Sequence, residues 1–489
     1  MATTTRQSLE ADLQSIETRL ATEPDSTDLL SDRARLLSEL GRNEEAKQQY
    51  LAILRRDGRH FSTLNNFGVL LHKTGAAEAA SRAYQAAIAL EPDNPIGHAN
   101  FADLLVQEGD LPAARSHYEQ ALGSDPHFYS AHRGLAVVFA SVGDADRAQH
   151  HQARQYEGRP VETLPYLGTG EPTPVLVLMS AGLGNLPWPD LIDNHVFSIT
   201  TLATEFFDPS HSLPAHQLIF NAIGDADVCR DALETATPLV ARTAASVINH
   251  PRAVLRTGRL ANVERLGRLP GVITPRTITI SQKRIGSPDG LIALQQHGLR
   301  YPFLLRSAGY HMGQHFIRVD TPDTLAAAAG ALPGDALLAI EYLDTCGTDR
   351  KSRKYRVMSI DGRLYPLHLA ISHNWKVHYF SAEMSQNAQH QSEEAAFLND
   401  MPGVLGDKAV RALAQISETL GLDYAGIDFG LSPSGELLLF EANATMLIQP
   451  PGPEPQWDYR RDPIDRALAA ARRLVCDRAR FSSGVRRAA

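Results

Sequence analysis

The chain has 489 residues, too many for one hydrophobic core and enough for about three domains, each large enough to be stable alone. A formal charge of −9 and a sequence pI near 6.1 lack the basic footprint of a nucleic-acid binder, so no nucleic-acid partner is expected. No run approaches the roughly 20 apolar residues of a membrane span, Met1 to Arg6 holds no apolar signal core, and Cys229, Cys346 and Cys476 match no disulfide or metal spacing; no membrane partner and a reducing cytoplasm are expected.

In chain order, a helix is expected from about Arg6 to Ala21, followed by positions that recur every 34 residues from about Ser26 to Gln155. Ala34, Gly68, Ala102 and Ala136 form one small-residue column, and Ala46, Ala80, Ala114 and Ala148 form another. Tyr50, Tyr84 and Tyr118 lie four residues after three of those alanines, and Pro92 and Pro126 end two repeats at one register. This spacing is that of tetratricopeptide repeats, helix pairs whose small residues permit close crossing while aromatics fill the groove. Arg33 and Gly58 in the first repeat and Gln152 in the fourth depart from the pattern, as terminal repeats do. Residues 1–158 are therefore expected to be an all-α solenoid whose concave face binds a peptide or protein. Asn65, Asn66, His98, Asn100, His132 and Arg133 fall on the first helices, which line that face.

Residues 159–173 are rich in Pro and Gly and read as a linker. An α/β unit is expected over 174–275, with strands near Val175, from Gln217 to Phe220 and from Ser246 to Ile248, and a helix from Cys229 to Ala241. Gly182 and Gly184 follow the first strand, but that spacing alone is poor evidence for a dinucleotide site. The last segment, 276–489, ends in an arginine-rich helix whose cations suit a helix C-terminus.

Within that segment two apolar strands flank a Ser432-Pro433-Ser434-Gly435 turn and carry Asp428, Glu441 and Asn443. Folding about Pro433 and Ser434 sets Asp428 roughly opposite Glu441, and the two-residue strand period puts Asn443 on the Glu441 face. Three oxygen ligands converging from neighbouring strands suit Mg²⁺, which takes one or two carboxylates and fills its other positions with water and phosphate. A solvent-facing amphipathic hairpin is the competing reading. The run from Leu437 to Phe440 argues against it, because acids ending a buried strand need a partner.

This hairpin resembles the end of the ATP-grasp fold, and five further segments are similar to that family in the expected order. They are Val247 to Pro251 with Arg256, Gly271 to Thr277, Tyr301 to Gly313, Leu338 to Leu343, and Lys354 to Val357 with Asp361-Gly362. The resemblance spans roughly Pro174 to Met446 and implies a small α/β domain ahead of an α+β nucleotide domain that binds ATP and Mg²⁺. It implies phosphate contacts from Arg256, Arg306, Ser307, Gly309 and Gly313, with arginines where the family usually has lysines. It also implies an adenine-reading strand at Glu341, Tyr342 and Leu343, ribose contact at Asp344, catalytic roles for Arg306 and Arg356, and metal ligation by Asp428, Glu441 and Asn443. The loops at Gly182 to Asn185 and Asn221 to Asp225 would then face the substrate.

Most members of that family activate a carboxylate as an acylphosphate and join it to an amine. The expectation is a carboxylate–amine ligase acting on small-molecule or peptidyl substrates, with the repeats recruiting a peptide, protein or carrier partner. His368, His373, Lys376 and His378, beside Trp375, could border the acceptor site. A phosphotransferase on the same fold, or a repeat scaffold with a degenerate nucleotide sensor, are the alternatives.

Overall fold

The computed structural model describes residues 6–182, 184–307, 315–377, 379, 382–452 and 454–485. It divides into two units, residues 1–175 with 193–214, and residues 176–192 with 215–489.

The first unit opens with α1 (Arg6–Thr22) and continues as four helix pairs: α2 (Thr27–Glu39) with α3 (Asn43–Arg56), α4 (Phe61–Lys73) with α5 (Ala77–Leu90), α6 (Pro95–Glu108) with α7 (Leu111–Ser124), and α8 (Tyr129–Ser141) with α9 (Ala145–Tyr156). Between the helices of each pair stands a left-handed glycine, Gly41, Gly75, Gly109 and Gly143, with φ near 80°. Only glycine takes that conformation without a Cβ clash. The N–H that follows each one reaches back to the helix it ends, Arg42 to the Leu37 carbonyl and Asp144 to the Phe139 carbonyl at 2.8 and 2.9 Å. Tyr50, Tyr84 and Tyr118 are at most 1% exposed, and the Ala46, Ala80 and Ala114 column beneath them is fully buried. Burying one such ring stabilises the array by about 2–3 kcal/mol. Asn65, His98 and His132 are buried within this packing, while Arg133 is exposed.

The stretch expected to be a linker is not free chain. Its residues 161–163 form β1 (Val161–Thr163), which pairs antiparallel with β3 (Phe197–Ala203), Glu162 opposite Thr201. Backbone groups of the segment that cannot all reach water find partners there.

The second unit is a mixed α/β body with several sheets. The chain crosses into it along β2 (Thr173–Met179), and β4 (Leu218–Asn221), α10 (Arg230–Val240), β5 (Ser246–Ile248), α11 (Pro251–Val254) and α12 (Arg259–Leu266) follow. Asn249, fully buried with φ 55°, is a clip: its side-chain amide exchanges hydrogen bonds with the Tyr424 backbone at 2.8 and 2.9 Å, and its N–H donates to Asp423 at 2.9 Å.

Then come β6 (Val272–Ile273), β7 (Thr277–Ser281), α13 (Gln282–Ile285), α14 (Pro288–Gln296), β8 (Phe303–Ser307), β9 (Phe316–Val319), α15 (Leu325–Gly330) and β10 (Ala336–Glu341). Four of these strands form an antiparallel sheet in the order β7-β10-β8-β9, with Phe303, Leu305, Leu337 and Ala339 in its core. The remaining elements are β11 (Ser352–Ile360), β12 (Arg363–Ser372), α16 (Ala388–Asn399), α17 (Met401–Leu420), β13 (Tyr424–Leu431), β14 (Leu437–Asn443) and α18 (Asp458–Val485). They complete a five-stranded sheet in the order β12-β11-β13-β14-β6. Among the described residues no helix is long and apolar enough to cross a membrane.

Candidate functional site

A cavity of about 220 Å³ in the second unit draws its walls from both sheets. The four-stranded sheet contributes Leu304 and Arg306 of β8, Phe316 of β9, and Ile340 and Glu341 of β10, with Tyr342 and Leu343 just beyond. The five-stranded sheet contributes Lys354 of β11, Asp428 of β13, and residues 439–443 of β14. Arg259 and Asn262 of α12, Asp225 and Asp227, and Trp375 and Lys376 also line it. Strand alternation explains the selection on β8. Leu304 and Arg306 face the cavity while Phe303, Leu305 and Ser307 face the opposite way.

Asp428 stands opposite Glu441 across β13 and β14, with an irregularity after Asp428, and Asn443 lies one period further on. Asp428 is 3% exposed, yet ionised: Arg356 grips its two oxygens at 2.6 and 2.8 Å, and Lys354 Nζ donates at 3.0 Å. Burial alone would raise its pKa; Arg356 and Lys354 outweigh burial and hold it far below the usual carboxylate range. Glu441 Oε1 accepts from Arg259 and from the Asn443 amide, both at 3.1 Å, and Oε2 takes no part in these contacts. Asn443 Oδ1 accepts from the backbone and hydroxyl of Thr445.

Two carboxylates and one amide oxygen form the hard, all-oxygen donor set that Mg²⁺ takes, and no third acidic, histidine or cysteine side chain joins them among the described residues. The residues fit such an ion through Glu441 Oε2. Asp428 becomes a ligand only when Lys354 or Arg356 releases an oxygen, and Asn443 only when its Oδ1 gives up a Thr445 contact.

The cations are positioned by side chains spent on backbone. Asn262, 6% exposed, donates to the Thr257 and Ala442 carbonyls at 2.9 and 2.7 Å, and so ties α12 to β14. Asp227 accepts from the Arg259 N–H at 2.9 Å. Burial pushes the Arg306 guanidinium down from its ordinary value, as does neighbouring Arg259, while Glu441, Asp225 and Asp227 oppose the shift. Arg306 also lies over the Phe316 ring at 5.7 Å. At the far end Glu341 is latched to Arg276, its Oε2 accepting from the Arg276 Nε at 2.9 Å and the backbone N–H at 3.0 Å.

Glu341, Tyr342, Leu343, Arg306, Asp428, Glu441 and Asn443 thus share one cavity. Arg256, Ser307, Asp344 and Arg356 are not part of its lining. Arg256 lies in a short turn ahead of α12, its carbonyl taken by Arg265, and Arg259 is the cation that the helix delivers. Ser307 faces the core and donates to the Pro333 carbonyl. The Asp344 carboxylate accepts from the Cys346 N–H. Arg356 sits behind Asp428, so Lys354 is the β11 cation that lines the cavity. Gly309, Gly313, His311 and His378 lie outside the described residues, as do Arg486 and Arg487.

Of the histidines expected at an acceptor site, His368 is buried against the Tyr379 ring, and burial together with Arg356 drives its pKa well below the ordinary histidine range. His373 is exposed, 4.0 Å from Glu383. Trp375, Lys376 and Val377 of that stretch line the cavity. Arg259, Asp227 and Asn262 escaped the sequence reading, and Lys354 carried no role of its own in it; Asp225, in a loop expected to face the substrate, lines the cavity. The alternation of β11 could have flagged Lys354, two positions before Arg356 on one face.

Comparison with known proteins bears on the first unit. The tetratricopeptide repeat family model matches residues 31–95 and 100–157. Among solved structures, a thermophilic tetratricopeptide repeat protein of Thermus thermophilus is 21% identical over 32% of this chain and 84% of its own, with a TM-score of 0.29. MamA of Desulfovibrio magneticus is 19% identical over 31% of this chain and 85% of its own, with a TM-score of 0.27. A search of curated proteins finds no match. The N-terminal region is an array of tetratricopeptide repeats, an architecture whose general use is protein–protein interaction.

Proposed function

We propose that the second unit is an ATP-dependent ligase of the ATP-grasp type, which joins a carboxylate to an amine, and that the repeats recruit its peptide, protein or carrier substrate. The observation that carries this reading is the register of Asp428 against Glu441, with Arg259, Arg306 and Lys354 lining the same cavity. Acids for a metal and cations for phosphate in one recess are what nucleotide chemistry requires. Cys229, Cys346 and Cys476, which form no disulfide among the described residues, suit a reducing cytoplasm as the place where it works.

When bound, Mg²⁺–ATP would supply the phosphoryl group that converts the substrate carboxylate to an acylphosphate, from which the amine displaces phosphate and loses a proton. Residues 340–343 would receive adenine on an apolar strand edge, held in place by the Glu341–Arg276 latch. Glu441, Asn443 and Asp428 would hold the metal. Arg306, Arg259 and Lys354 would offset phosphate charge in a recess that excludes bulk water, where such charges act strongly. Lys376 and Trp375 would border the acceptor.

The deciding experiment measures ADP and phosphate release from ATP over a panel of amino acids and peptides. Release that requires both a carboxylate and an amine supports the ligase. A phosphorylated product with no amine requirement would favour the phosphotransferase, and no turnover with any compound would favour a nucleotide-sensing scaffold.

A further inference from the structure

Repeats three and four each carry a histidine pair at one register. His98 of α6 faces His117 of α7 with Nδ1 to Nδ1 at 2.9 Å, and His132 of α8 faces His151 of α9 at the same 2.9 Å. Ring centroids stand 5.2 and 5.1 Å apart, with the ring planes inclined by 30° and 35°. His98 and His132 are buried, and Nε2 of each bonds a proline carbonyl, Pro92 at 2.8 Å and Pro126 at 3.0 Å. A carbonyl only accepts, so Nε2 of the inner ring carries that ring's proton. Its Nδ1 is then the acceptor, and the outer Nδ1 is the donor. Each pair holds one N–H···N bond; a first added proton, on the outer Nε2, leaves that bond in place, and a second, on the inner Nδ1, would set two N–H groups against each other.

Thirty-four residues earlier the same positions are Leu64 and Ala83, and in the first repeat they are Leu30 and Gln49. Imidazole pairs therefore close only the last two repeats. We propose that repeats three and four are an acid-releasable half of the array: a pair can charge both of its rings only by breaking its contact between helices, so acid loosens the concave face there, while repeats one and two stay packed.

The surroundings support this direction. Burial, then His98, lowers the pKa of His117, whose ring meets Phe101 edge-on. For His132 burial lowers it most, with Arg154, His150 and His127 adding to the shift and the Pro126 carbonyl opposing it. His151 is pushed down to about 4 by burial, His132, His150 and Arg147, against Glu119. An unfolded histidine takes its proton near pH 6.5, before these folded rings do, so stability is full above that pH and falls as pH drops toward the folded values. Each titrating ring shifts the opening equilibrium by up to about tenfold per pH unit in that window. The first half is not free of histidine: His72 meets Gln107, and His60 meets Asp28 at 3.0 Å while its Nδ1 accepts the Thr63 N–H at the start of α4, so a proton there opposes one capping bond and no histidine pair between helices.

Hydrogen–deuterium exchange on the full chain at about pH 7.5 and about pH 5, corrected for intrinsic rates, tests the proposal. Amides of α6 to α9 should lose at least about tenfold in protection at the lower pH, while those of α2 to α5 beyond the His60-capped first turn of α4 change less than about twofold. Replacing the pairs with the chain's own second-repeat residues (His98→Leu with His117→Ala, and His132→Leu with His151→Ala) should abolish the difference. Equal loss in both halves, no loss in α6 to α9, or an undiminished loss in a folded variant would overturn it. Should the variant not fold, the two halves of the unmodified chain still decide.

Discussion

Arg356 and Asp428 stand directly opposite each other on β11 and β13, and the guanidinium closes on both carboxylate oxygens. Removing the cation leaves a nearly buried charge with Lys354 as its remaining ion-pair partner. Arg356→Met should therefore cost about 3–5 kcal/mol, the usual penalty for breaking a buried pair, and Arg356→Lys less. Trp188, Trp375 and Trp457 all lie in the second unit, so tryptophan fluorescence during urea unfolding reads this change separately from the repeats.

Asp428 and Glu441 should respond differently to neutralisation. Glu441 is about a third exposed, and Glu441→Gln should remove ATP turnover while leaving stability within about 1 kcal/mol. Asp428→Asn should lose turnover and stability together. Because the folded Asp428 carboxyl is held below its unfolded value, its contribution is present above about pH 3.9 and is lost as pH falls below that. The stability gap between wild type and Asp428→Asn should accordingly shrink below about pH 4 in unfolding curves.

Arginine scanning separates the cavity from its neighbourhood. Arg259→Ala and Arg306→Ala should each weaken Mg²⁺–ATP binding by roughly tenfold or more in calorimetry, the worth of a charge-assisted hydrogen bond. Arg256→Ala should change it less than about twofold. The reverse ranking would restore the sequence-based assignment.

In the array, a Cβ added at Gly134 would fall 2.0 Å from the Tyr118 ring. Gly134→Ala should lower the stability of the repeats by about 1–3 kcal/mol through overpacking, visible by circular dichroism in urea.

Removing the repeats should raise the KM for a peptidyl or protein substrate while kcat changes little, because remote binding that is equal in ground and transition states appears in KM. A chain beginning at Arg159 keeps β1 for β3, whereas one beginning at Pro174 does not. The first is the proper comparison, and identical kinetics with and without the helices would sink the recruitment role.

Local pattern carried far along this chain. The 34-residue period yielded each helix pair, since every repeat spends its small residues and tyrosines on its nearest neighbours. The Asp428–Glu441 register followed from a short turn and a two-residue period. What sequence could not supply was delivery from a distance. Arg259 reaches Glu441 because Asn262 binds the Ala442 carbonyl 180 residues away, and no local spacing encodes that contact. Ser307 and Arg306 are adjacent on β8, so their side chains face opposite ways and Arg306 is the one that lines the cavity. β1 was hidden by its Pro- and Gly-rich flanks.

The Asn249 clip constrains the order in which the polypeptide can assemble on the ribosome. Its partners in β13 and just ahead of it are some 174 and 175 residues downstream, and at about 5–20 residues per second they emerge roughly 10–35 s after it does. The repeats, whose contacts are between sequence neighbours, can pack as they appear. The second unit must wait with the outer edge of β5 uncovered, its three-residue length leaving little for a stray strand to join during the delay.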